Sequence, residues 1–241
     1  MITVISSFFN ESKNCERFFQ MIEECYLLIP ISEVVLVDNG STDDTFVKLK
    51  NFKSKNFQIK ILQNPSNSKY GDGFNKAFIN ANNGYILTLH SDLQFNLKNY
   101  ILKNINTINL CLKTNINIFP KRINRSFFSI LRTYFFKIII SIRFLMIFND
   151  FNGHPKLLIK KDFEDLNSHC SGFGYDLSLF FFLRKKKKKL NLQTSTIEEK
   201  RIHGTTSWNN NFLSSLKVMF QTINELKNFN KKNFKINKNK K

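Results

Sequence analysis

Residues 33–45, EVVLVDNGSTDDT, decide the fold. Val34 to Val37 form an uninterrupted apolar run, as in a strand buried on both faces, and the run stops at Asp38. Asn39-Gly40 supplies a turn, and Ser41 followed three residues later by Asp44 makes a capping-box-like start for a helix from about Thr42. Capping and complementing the helix dipole account for Ser41, Asp43 and Asp44. Asp38 is different, because it ends the strand before the turn and no local cap requires it.

The same alternation continues outward in both directions. Upstream lie a strand ITVIS (2–6) and a helical stretch over 11–28; downstream lie a strand FQIKIL (57–62), a helix GFNKAFINANN (73–83) and a strand YILTL (85–89). Apolar strands separated by helices imply an α/β fold with a mostly parallel sheet flanked by helices. Ligands of such sheets sit outside the carboxyl ends of the strands. Three polar stretches fall at those ends: SSFFNE (6–11), DNGSTDD (38–44) and HSDLQ (90–94). In the last, His90, Asp92 and Gln94 fall on one side if extended backbone continues through them.

A chain of 241 residues with 42% hydrophobic content can build one sizeable core with a helical annex. The net charge of +19 points toward a polyanion, an anionic membrane surface or a phosphorylated substrate. Seven of the 37 basic residues are arginine. Because lysine, asparagine, isoleucine and phenylalanine are abundant throughout, the placement of those arginines says more than the total. Cys15, Cys25, Cys111 and Cys170 have neither CxxC nor zinc-ligand spacing, which favours a reduced, cytosol-facing protein. The amino terminus lacks the features of a signal peptide, and no apolar run reaches the roughly 18–20 residues of a membrane span. Nucleic acid is not an expected partner, since the lysines are scattered or confined to the tail.

Beyond residue 120 the texture changes. In 125–148, RSFFSILRTYFFKIIISIRFLMIF, Arg125, Arg132 and Arg143 fall within roughly 20° of one another on a helical wheel. A cationic line on an apolar helix suits a bilayer interface, and a core helix with snorkelling arginines fits the pattern equally. A helix over 174–189, a strand-like 190–199, a loop 200–208 and an amphipathic helix from Asn210 follow, and the tail 228–241 reads as disordered and basic. The chain thus divides into an α/β core (1–120), a second half with an interfacial helix at about 125–148 that also completes the core (121–209), and an amphipathic helix with a tail (210–241).

Six segments together resemble the family 2 glycosyltransferases of the GT-A fold, in particular the polyprenyl-phosphate or dolichyl-phosphate mannose synthase-like bacterial branch. They are TVISSFFNE (3–11), VVLVDNGSTDDT (34–45), YGDGFNKAFINANNGYILTLHSDLQ (70–94), GHPKLLIKKDF (153–163), GYDLSLF (174–180) and RIHGTTSW (201–208). The resemblance covers roughly residues 2–209 and implies a hexosyltransferase with a nucleotide-sugar-binding core at 1–120 and an acceptor-side half at 121–209. It implies nucleobase and ribose contacts for Glu11 and Asp38, to which Ser6, Asn39, Gly71, Gly73 and Ser91 are added as nucleotide-sugar contacts. The two glycines would allow close approach at a helix start. Three departures stand out: Asn39 where the family usually has a second Asp, Ser6-Ser7 where it usually has a proline, and His90 for the first acid of the Asp-x-Asp motif. Asp92 would be the charged metal ligand, Gln94 a carbonyl ligand and His90 an imidazole, for Mn²⁺ or Mg²⁺. The other reading makes His90 a buried, satisfied histidine and leaves the metal to Asp92.

The acceptor decides whether a base is needed. A lipid phosphate is already a nucleophile and needs cations to position it, for which Lys121, Arg122, Arg125, Arg201 and His203 are candidates. A hydroxyl acceptor needs a general base, for which Asp176, or less readily His154, could serve, although Asp176 can equally cap a helix. The leading expectation is inverting transfer of a hexosyl unit from a nucleotide-diphosphate sugar to a polyprenyl phosphate, by a protein held peripherally on the cytoplasmic membrane face. The alternatives are a surface-polysaccharide or lipid-linked oligosaccharide acceptor, or a non-catalytic anionic-lipid or nucleic-acid binder on a degenerate fold.

Overall fold

The computed structural model describes residues 1–66, 68–201, 203 and 212–234. The apolar run at 34–37 forms the interior of β2 (Ile31–Asp38), which pairs in parallel with β1 (Ile2–Phe8) and β3 (Gln58–Gln63). On the other side of β1 lies β4 (Tyr85–Thr88), also parallel. The full order is β3-β2-β1-β4-β7-β5-β8, where β7 (Lys156–Ile159) runs antiparallel between β4 and β5 (Asn117–Ile118), and β8 (Leu190–Asn191) closes the edge. Strands from both halves of the chain therefore share one sheet. A separate two-stranded parallel ribbon joins β6 (Lys121–Ile123) to β9 (Ser195–Ile197).

Alternation along the strands sends side chains into two cores. Val4, Phe8, Val34 and Leu36 pack on one face with α1 (Cys15–Cys25) and α4 (Leu97–Thr114); Ile5, Val35 and Val37 pack on the other with α3 (Tyr70–Asn80) and α6 (Tyr175–Lys185). Chain order departs from β1 in opposite directions, to β2 on one side and β4 on the other. That switch point opens a crevice at the carboxyl ends of the strands, where 90–94 emerges.

Several expectations change. The helix α2 (Thr45–Asn51) begins without a capping-box bond from Ser41. Instead Ser41 Oγ accepts the Asn10 amide at 3.0 Å and Asp43 accepts the Ser12 amide at 3.2 Å, so this loop is sewn to the end of β1. The stretch 90–94 is not extended: Ser91 and Asp92 form a turn and Leu93 takes a left-handed conformation (φ 60). The helix α5 (Phe127–Phe144) excludes Arg125, which precedes its Ser126 cap, so the three arginines do not form one helical line. The final helix α7 (Phe212–Phe234) carries order through 228–234, part of the expected disordered tail, because Phe229 is buried against Phe181 and Phe182. Residues 204–211 of the expected loop and helix start, and 235–241 of the tail, lie outside the described residues. All four cysteines are free and buried.

Candidate active site

A cavity of about 320 Å³ opens at the end of β4. His90, Asp92 and Gln94 line it, together with Tyr70 at the start of α3, Asp176 in the first turn of α6, and Arg122, Arg125, Arg132, Glu198 and Arg201. The left-handed turn at Leu93, rather than strand alternation, brings the three residues of HSDLQ to one cavity.

Behind the cavity lies a buried polar chain. Lys156 Nζ donates to Asp176 Oδ1 at 2.8 Å and to His154 Nε2 at 2.6 Å; the Tyr70 hydroxyl donates to Asp176 Oδ2 at 2.8 Å and lies 3.0 Å from His90 Nε2. Proton counting fixes the tautomers. An ammonium donates to His154 Nε2, so the His154 proton is on Nδ1, which faces Thr88 Oγ1 at 3.0 Å. Tyr70 has one proton and gives it to Asp176, so His90 donates from Nε2 and keeps its lone pair on Nδ1. Burial lowers the proton affinity of both histidines, that of His154 strongly. His90, His154 and Asp176 lie close enough to hold a metal ion together, but the Lys156 ammonium already bonds two of the three and is the resident cation there.

Asp176, expected as a general base or a helix cap, is bound into this polar chain. Its side chain makes no cap bond, and although burial alone would raise its proton affinity, the Lys156 ammonium holds the carboxyl far below the usual range. His154, the lesser candidate base, is fully buried with both nitrogens engaged.

The expected cationic clamp is partly neutralised. Arg122 forms a forked pair with Asp150 (3.1 Å) and reaches Glu198 (3.3 Å); Arg125 meets Glu198 at 3.0 Å. Arg201 Nη2 donates to Asp92 Oδ2 at 2.8 Å, and Nη1 lies 3.9 Å from Glu11 Oε1. Lys121 is exposed on β6 and does not line the cavity; His203 is exposed, among neighbours outside the described residues.

The nucleotide-side residues divide as well. Glu11 accepts from the Asn14 side chain and lies 3.9 Å from the Arg201 guanidinium that holds Asp92, and burial raises its proton affinity. Asp38 does serve a local cap, accepting the Ser41 amide at 3.3 Å and Gln63 Nε2 at 3.1 Å. The Asn39 amide is consumed in bracing 64–69, accepting from Asn64 (2.9 Å) and donating to the Lys69 carbonyl (2.8 Å). Ser6 is enclosed in the sheet and its hydroxyl has no partner among the described residues. Ser91 latches 90–94 onto β1 through a 2.9 Å bond to the Ser7 carbonyl. Gly71 and Gly73 admit protein rather than ligand: a Cβ on Gly71 would lie 2.1 Å from the Cys170 carbonyl oxygen, and one on Gly73 2.0 Å from Ser7 Oγ.

A divalent ion at Asp92 would take the place of the Arg201 guanidinium. Asp92 and Glu11 flank a single guanidinium whose Nε is buried without a partner among the described residues, so one cation already balances this pair. Gln94 uses its Nε2 on the Glu199 carbonyl, and His90 has no described partner on Nδ1. When bound, such an ion supplies positive charge against a diphosphate leaving group.

The buried histidines predict a pH dependence of stability. Both fold with proton affinity below their ordinary value, so as pH falls through about 6.5 the unfolded chain takes up protons that the folded chain refuses, and stability falls. Glu11, shifted upward, opposes this nearer its own ordinary value. The thermal midpoint is expected to be lower at pH 5.5 than at 7.5; equal midpoints would contradict the neutral-histidine assignment.

Comparison with known proteins bears on the family and the fold. Residues 3–151, more than half of the chain, match the family model described as glycosyl transferase family 2. No curated protein sequence matches significantly. Among solved structures, the chain is similar to glucosyl-3-phosphoglycerate synthase from Mycobacterium tuberculosis in complex with Mn²⁺, UDP-glucose and phosphoglyceric acid. That match has a TM-score of 0.68 and 14% identity, covering 95% of this chain and 79% of that one. The same enzyme with Mg²⁺ and UDP gives 0.65 at 15% identity over 95% and 79%. With Mn²⁺, UDP-glucose and glycerol 3-phosphate it gives 0.63 at 14% over 95% and 79%.

Proposed function

Since this chain belongs to glycosyl transferase family 2 and carries the GT-A fold, we propose that it passes a hexosyl unit from a nucleotide-diphosphate sugar to a polyprenyl phosphate at the cytoplasmic membrane face. One observation carries the choice of acceptor. Each carboxylate lining the cavity is held by a cation: Asp92 by Arg201, Asp176 by Lys156, and Glu198 by Arg122 and Arg125. His90 is a weakened base. A hydroxyl acceptor needs a base with enough proton affinity to take its proton, whereas a phosphate arrives ionised and needs only alignment and charge stabilisation.

In this reading Glu11 binds the nucleoside, Asp92 with Gln94 and His90 Nδ1 holds Mn²⁺ or Mg²⁺, and Arg125, Arg132 and Arg201 face the acceptor phosphate across the cavity. Direct attack by a phosphate oxygen on the anomeric carbon inverts its configuration. The similar structures hold UDP or UDP-glucose with phosphorylated compounds, which suits a donor of that class and an anionic acceptor. The membrane assignment is supported by α5, on which only Ile140 is buried while Phe127, Phe128, Tyr134, Phe135 and Ile142 are exposed. Among the described residues no helix is long and apolar enough to cross a membrane.

The test is kinetic. With Mn²⁺, a panel of nucleotide sugars beginning with UDP-glucose and a short polyprenyl phosphate, wild type should form a sugar-phosphate lipid. Arg125→Gln should raise the acceptor KM about tenfold and leave the donor KM within about twofold, as one charge-assisted contact implies. Equal effects on both would remove Arg125 from the acceptor side.

A further inference from the structure

The carboxyl ends of α5, α6 and α7 converge on a second hollow, of about 230 Å³, lined by Arg143, Lys185, Lys227, Lys231 and Asn230 over Phe144, Phe181 and Leu145. We propose that this hollow binds the headgroup of an anionic phospholipid, separately from the acceptor cavity.

Three observations converge. The lining holds four cations and no carboxylate, whereas Arg122, Arg125 and Arg201 of the acceptor cavity are each paired with acids. Cations commonly complement helix carboxyl ends, but here helices from distant parts of the chain direct theirs to one concavity. The floor is aromatic: Arg143 Cζ lies 5.8 Å from the Phe144 ring centre and Lys185 Nζ 5.6 Å from that of Phe181, so the ring faces help to hold the charges at the hollow. The rim is apolar. Leu145 caps α5 in the left-handed conformation, where glycine or asparagine is usual, and is 93% exposed; Ile142 and Ile147 beside it are 71% and 75% exposed.

A soluble phosphate ligand explains the cations but not the exposed leucine. A phospholipid explains both, its phosphodiester among Arg143, Lys185, Lys227 and Lys231 and its acyl chains beside Leu145, Ile142 and Ile147. The hollow equals the liquid volume of about eight waters at ~30 Å³ each, which accommodates a phosphodiester and a small polar group. The inference deepens the membrane-face reading and rests on it for orientation alone.

The test is co-sedimentation of the full chain with vesicles, without nucleotide sugar or acceptor, so its failure leaves glycosyl transfer untouched. Wild type should bind mixed phosphatidylglycerol/phosphatidylcholine vesicles about tenfold or more tighter than pure phosphatidylcholine. K185Q/K227Q/K231Q should lose that preference and keep wild-type turnover of a short, soluble acceptor. K53Q/K55Q/K113Q, which removes equal charge from other exposed sites, should keep it. Leu145→Ser should weaken binding to both vesicle types. Equal loss in the two triple variants would reduce the effect to net charge and overturn the site. Competition by inorganic phosphate as effective as that by phosphatidylglycerol would replace the lipid by free phosphate and overturn it too.

Discussion

Asp92→Asn is expected to reduce glycosyl transfer by about a thousandfold or more while leaving the fold intact. The substitution keeps the size of the side chain and its carbonyl acceptor for the Gln94 amide, 3.2 Å away, so the turn through Leu93 persists. What disappears is the negative charge now balanced by Arg201 at 2.8 Å, the charge that would hold a divalent ion. Binding of Mn²⁺, followed by electron paramagnetic resonance in the presence of UDP, should be lost in parallel, which separates this outcome from misfolding. Near-wild-type turnover by Asp92→Asn would remove Asp92 from the mechanism.

Lys156→Met is expected to be the most destabilising substitution near the site, by about 3–5 kcal/mol, the usual cost of leaving a buried charge without its partner. Lys156 is fully buried, and its ammonium is both the counter-ion of Asp176 and the donor that sets the His154 tautomer. For a chain of this size the thermal midpoint should fall by about 10 °C. Adding Asp176→Leu removes the orphaned charge and should recover much of the loss, leaving the Tyr70 hydroxyl without the acceptor it has 2.8 Å away. If Lys156→Met were as stable as wild type, the chain from Lys156 to His90 would be wrongly drawn.

The strand, turn and helix at 33–45 were legible because an apolar run and an Asn-Gly turn act locally, whatever surrounds them. The place of Asp92 at the cavity was legible for a related reason: an acid where a buried strand leaves the sheet faces the carboxyl-end crevice. The chain through Tyr70, His90, Asp176, Lys156 and His154 was not, since it joins residues from 70 to 176 across four elements and no periodicity announces it. Its one local signal was Lys156, a lysine opening the apolar strand LLI. Gly71 and Gly73 show a different limit: the sequence reveals a need for close approach but not that a carbonyl and a serine do the approaching. The arginines were visible and their partners Asp150 and Glu198 were not, so the clamp read as more positive than it is. In the basic tail, Phe229 was outweighed by the lysines and asparagines around it, although its ring reaches the core and orders the helix.

The central claim is that the site, whose carboxylates are all ion-paired and whose His90 is a weakened base, takes an acceptor that is already an anion. It is tested most directly by offering the same nucleotide sugar and the same short isoprenoid as its phosphate and as its free alcohol. The account predicts transfer to the phosphate, with the alcohol slower by at least about a hundredfold, the usual contribution of a missing general base. Comparable rates on the two acceptors would contradict it.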